Sequence, residues 1–72
     1  MGPVSPVFTA REGKVFHRGV YVPEPSRQLA VFLESAARKD WFGARAAELA
    51  TELQDAITVA EDFHQSEHRS AA

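Results

Sequence analysis

Pro23 and Pro25 divide the 72-residue chain into two kinds of sequence. Each proline lacks an amide donor and holds the residue before it in an extended conformation, so no strand or helix can run through "VPEP", residues 22–25. Valine and aromatic residues dominate upstream, while alanine and leucine recur at helical spacing downstream. The chain therefore reads as α+β, with an N-terminal β-hairpin followed by two α-helices.

The hairpin occupies residues 7–22, "VFTAREGKVFHRGVYV", split by "REGK". A three-residue loop with Gly13 in the left-handed position pairs Ala10 with Lys14 and sets Phe8 opposite Phe16. Val7, Thr9, Val15 and His17 then share the other face. A two-residue loop at Glu12-Gly13 pairs Phe8 with His17 instead, a less uniform face, so the first register is preferred. Gly19 marks a bulge or the end of the ribbon, and Val20 to Val22 lead as extended chain into Pro23.

Beyond the prolines, Ser26 is the candidate N-cap of a helix over residues 27–39. Leu29, Phe32, Leu33, Ala36 and Ala37 form its stripe, and Arg38 and Lys39 suit its C-terminal dipole. A second stripe runs through Ala46, Leu49, Ala50, Leu53, Ala56, Ile57, Ala60 and Phe63. It lies about 130° from the first at 100° per residue, so one straight helix cannot bury both. A break is expected at "DWFG", residues 40–43, with Asp40 as cap, Gly43 as the flexible point, and Trp41 and Phe42 filling the core. Residues 1–6 read as a flexible N-terminus, 7–65 as one small domain and 66–72 as a disordered tail.

A chain of this length buries only about 60% of the surface its unfolded form exposes. Cysteine is absent, which leaves self-association or partner binding as the usual supplement to so small a core. No run approaches the roughly 20 apolar residues of a membrane span, and no signal-peptide pattern opens the sequence, so a cytoplasmic location is expected with no membrane partner. The richness in alanine and arginine is in the style of bacterial or phage accessory proteins, though no motif carries that impression. The net charge of −2 conceals an asymmetry: residues 1–45 carry seven Lys/Arg against four Asp/Glu, and residues 46–72 carry one against six. The two halves are thus suited to different partners, or to each other head to tail.

Residues 47–68, "AELATELQDAITVAEDFHQSEH", admit three functional readings. A DNA-binding helix-turn-helix fits the outline. It lacks a turn glycine, however, its apolar stripe keeps phase through Gln54, Asp55 and Ala56, and Glu61 and Asp62 would meet phosphate with the wrong sign. A metal site could use Glu61, His64 and His68, which fall within about 60° on a helical face. No second Glu-x-x-His is present, so further ligands would have to come from another copy or from Glu34. The preferred reading is an oligomer seam of Ala46, Leu49, Leu53, Ala56, Ile57, Ala60 and Phe63, with Glu48, Glu52, Asp55 and Asp62 on the wet side.

On the hairpin, Arg11, Lys14, His17 and Arg18 beside Tyr21 are candidate contacts for nucleic acid or a protein partner, while the neighbouring Phe8 and Phe16 read as the core face of the ribbon. The serines lie outside any nucleophile-elbow pattern and no Gly-rich phosphate loop is present, so neither catalysis nor a cofactor is implied. The expectation is a non-enzymatic protein interaction module, a homodimer through its second helix. The alternatives are a small DNA-binding regulator or antitoxin-like protein using the basic hairpin, and a metal-binding helical oligomer.

Overall fold

The computed structural model describes residues 6–70, with side chains through Glu67. Three short strands form an antiparallel meander: β1 (Phe8–Arg11), β2 (Lys14–His17) and β3 (Val20–Val22), in the order β1-β2-β3. Two helices follow, α1 (Pro25–Ala37) and α2 (Trp41–Ser70). The α+β class and the order of hairpin and helices are as expected.

The register differs from the preferred one. Phe8 pairs with His17, Thr9 with Phe16, Ala10 with Val15 and Arg11 with Lys14, around a two-residue turn. Glu12 and Gly13 both hold positive φ, 51° and 80°, the mark of a type I′ turn whose twist matches that of the strands it joins. Arg18 and Gly19, at φ 50° and 84°, repeat this turn and start a third strand where a bulge was expected. That third strand is the reason the other register wins. It gives Phe16 a cross-strand neighbour in Tyr21, so Phe16 need not share a face with Phe8. Phe8, Ala10, Val15, His17 and Val22 then form the inner face, with Thr9, Arg11, Lys14, Phe16 and Tyr21 outside.

The core lies where the inner face meets α2. Phe8, Val15, Leu53, Ala56, Ile57 and Ala60 are buried together, with Val7, Ala10, Val22, Leu29, Phe32 and Leu49 packed around them. Phe32 meets Phe8 edge-on at 5.8 Å, and the His17 ring closes the rim at 5.0 Å from Phe8. The Phe8 amide donates to Glu52 Oε1 at 2.7 Å, so one acid expected on the wet side of α2 instead ties down the edge of β1. Glu52→Ala leaves that amide without its partner and should cost about 1–2 kcal/mol, more than Glu52→Gln, as read from urea denaturation. Equal stability of the alanine variant and the parent would show that the bond contributes nothing.

α1 begins two residues earlier than expected. Pro25 takes the first helical position, where its missing amide is no loss, and the Glu24 carbonyl, in place of Ser26, receives the Arg27 and Gln28 amides. The helix stops at Ala37, and Lys39 turns left-handed at φ 61°. Asp40 caps α2 as expected, its Oδ1 accepting the Gly43 amide at 2.7 Å.

Gly43 is not a hinge. It is buried in the first turn of α2, and a Cβ there would lie 3.2 Å from the carbonyl oxygens of Ser35 and Ala36, so its bareness lets the helices approach. Trp41 and Phe42 do not fill the core either. They stack on each other at 4.4 Å and are 75% and 62% exposed, because the buried stripe of α2 starts one turn later, at Ala46. α2 runs for 30 residues, about 45 Å, through the stretch from Ser66 to Ser70 that was expected to be disordered. Residues 1–5, 71 and 72 of the expected flexible ends lie outside the described residues. Among the described residues, no helix is long and apolar enough to cross a membrane.

Candidate functional site

The expected oligomer seam faces into the chain itself. Ala46, Leu53, Ala56, Ile57 and Ala60 are buried against the hairpin and α1, Leu49 is half-buried, and only Phe63 is substantially open, at 41%. A stripe that covers its own sheet cannot also cover a second copy. The helix-turn-helix outline fails as well, because α2 is continuous through Gln54, Asp55 and Ala56.

The metal candidates do not converge. His64 Nε2 lies 2.8 Å from the Gly13 carbonyl oxygen, which joins the far part of α2 to the first turn of the sheet. Among the described residues no three His, Asp or Glu side chains gather as a cation would require, and the His68 side chain lies outside them.

The basic ribbon is divided by the register. His17 points inward to Phe8, whereas Arg11, Lys14 and Tyr21 share the outer face and Arg18 sits in the adjoining turn. Phe16, expected on the core face, joins them: its ring lies 6.0 Å from that of Tyr21, at 58°. Lys14 Nζ stands 6.0 Å over the Tyr21 ring. The ion pairs among the described residues, Arg27–Glu24 and Arg45–Glu48, are both exposed and involve none of these cations.

A second surface lies between the two helices. Leu29, Leu33 and Ala36 of α1 face Ala47, Ala50, Thr51, Gln54 and Asp55 of α2 across an open groove of about 370 Å³. The Thr51 hydroxyl is turned back onto the Ala47 carbonyl at 3.1 Å. Leu33 is 54% exposed, and none of the 13 residues of α1 is fully buried. The signal lay in the sequence: a stripe holding both Phe32 and Leu33 is too wide for one neighbour. Phe32 meets the sheet and Leu33 is left outside.

A hollow of about 430 Å³ lies between the inner sheet face and the start of α1, lined by Phe8, His17, Val20, Pro23, Gln28 and Phe32 among others. No described polar or charged side chain is fully buried there or elsewhere. What the described surface presents is an apolar helix groove on one side and a face of cations and aromatics on the other. In comparisons with known proteins, no family model, curated protein or solved structure matches the chain.

Proposed function

We propose that the chain is a non-enzymatic interaction module that pairs with a second copy through the open face of its two helices, leaving the outer face of its sheet free to hold a partner. The observation that carries this reading is α1, a helix with Leu29, Val31, Phe32 and Leu33 among its 13 residues and none of them fully buried. An amphipathic helix draws most of its stability from the apolar face it covers, so α1 gains most from a second surface.

That surface is self-complementary in size. α1 offers a projecting leucine, while α2 offers the small exposed residues Ala47 and Thr51 on either side of the buried Ala50. A two-fold arrangement lets Leu33 of each copy settle over Ala47 and Thr51 of the other, as side chains interdigitate between packed helices. The pairing surface thus involves the helices, as the sequence suggested, but a different face of α2 with α1 added.

Light scattering coupled to size exclusion should give the mass of a dimer for the parent protein and of a monomer for Leu33→Asp. The circular dichroism and melting curve of the variant should show it still folded, since Leu33 is already half in water. A parent protein that is monomeric at the highest soluble concentration would remove the pairing. A Leu33→Asp variant that remains dimeric would remove this face from it.

A further inference from the structure

We propose that the outer face of the sheet binds single-stranded nucleic acid, with Phe16 and Tyr21 stacking on bases and Arg11, Lys14 and Arg18 meeting the phosphates. This deepens the reading of the chain as a binding module by naming the partner of the sheet, and it does not depend on pairing through the helices.

The placement follows from the register. With two-residue turns on both sides of β2, Arg11, Lys14, Phe16 and Tyr21 project to the side away from α2. Phe16 is half-buried and Tyr21 is 52% exposed, and their rings lie side by side across neighbouring strands at 6.0 Å. Exposed cross-strand aromatics waste contact area in water, whereas the flat face of an unpaired base covers such a ring well and does so for any base.

The charge on this side complements a polyanion. Arg11 and Lys14 are cross-strand partners, Arg18 lies in the next turn, and both described ion pairs are on the helices or their entry. Glu12, in the first turn, is the one acid within the meander, residues 8–22. The strong acidity of the chain belongs to α2, and Glu52, which reaches the sheet, is held on the Phe8 amide at the edge of β1.

Single strands fit better than duplex. The face is a shallow patch of strands three or four residues long, with no helix or protruding ribbon to enter a groove, and paired bases would hide the surfaces that the rings need. An acidic protein segment would satisfy the cations but would leave the ring faces without a flat partner.

The test is fluorescence anisotropy with a short labelled oligothymidine, the same oligonucleotide annealed into a duplex, and a labelled polyglutamate peptide. The single strand should bind more tightly than the other two. Its affinity should fall roughly 20-fold between 50 and 200 mM salt if about three phosphates are neutralised, given a slope near −0.7 per phosphate. Tyr21→Ala should weaken binding on the order of tenfold, with Tyr21→Phe restoring most of it, because stacking needs the ring and not the hydroxyl. Arg11→Ala with Lys14→Ala should flatten the salt dependence, while Arg27→Ala on α1 should leave binding unchanged. No single-strand binding at low salt, a preference for duplex or polyglutamate, or indifference to Tyr21→Ala would each overturn the proposal. Leu33→Asp, run alongside, should bind with the same affinity per chain, so that loss of pairing and loss of nucleic-acid binding are read separately.

Discussion

Leu53→Asp is expected to unfold the protein, not merely to separate its copies. Leu53 is the one described large side chain with no exposed surface, and it sits where α2 meets Phe8 and Val15 of the sheet. Removing a buried leucine side chain alone costs about 2.7–5 kcal/mol, depending on how far the site can collapse. A carboxylate there adds the desolvation of a charge that has no cation beside it. Domains as a class are stable by only about 5–15 kcal/mol, and one with so few buried side chains belongs at the low end. Far-ultraviolet circular dichroism should therefore show loss of helix for Leu53→Asp. Urea denaturation should show a folded but much weaker Leu53→Ala, by about 3 kcal/mol. A Leu53→Asp protein that keeps its helical spectrum and melts cooperatively would mean that α2 does not close on the sheet through this residue.

Gly13→Val should have the next largest effect, about 2–3 kcal/mol, combining backbone strain with crowding. At φ +80° a β-branched side chain is disfavoured, and the new Cβ would stand 2.6 Å from His64 Nε2 and 2.9 Å from Phe63 Cδ1. Gly19 separates the two causes, since it holds φ +84° with nothing within 4 Å of an added Cβ. Gly19→Val should thus cost only the strain, about 1–2 kcal/mol. The second change His64→Ala should return part of the loss in Gly13→Val and none in Gly19→Val. Equal urea midpoints for the two single variants would show that the exposed His64 and Phe63 rings swing aside at no cost.

The contact at Gly13 bears on how the far part of α2 is held. Beyond Ala60 the helix buries no described residue, yet His64 reaches the turn 51 positions earlier in the chain. A residue chosen from the sequence as a candidate metal ligand instead joins two elements. A lone histidine near the end of an amphipathic helix gives no local sign of which partner it meets, because that partner comes from the other end of the chain.

Local pattern made the α+β class, the helix break between Ala37 and Trp41 and the Asp40 cap legible in the sequence, because prolines, apolar spacing and a capping carboxylate act within a turn or two of themselves. The candidate site was legible only in part. Arg11, Lys14, Arg18 and Tyr21 are identifiable as a cluster from the sequence, but the register turns Phe16 outward to join them and leaves His17, still exposed, at the rim of the inner face beside Phe8. A strand shifted by one residue reverses every side chain, and the choice depended on a third strand that "RGVYV" signals weakly.

The sequence by itself determined the first two strands, the break between two helices, and that the face of α2 from Ala46 to Ala60 must be covered, but not the third strand or the full length of α2. Only the tertiary structure decided what covers it, which face of the meander turns outward, and that Leu33, Trp41 and Phe42 are left in water. The physical reason is one of range. Backbone preference and periodicity are settled by neighbours along the chain, whereas the covering of one apolar face by another is a competition among all surfaces present. In this chain the inner face of the sheet covers the middle of α2, and α1 is left half uncovered.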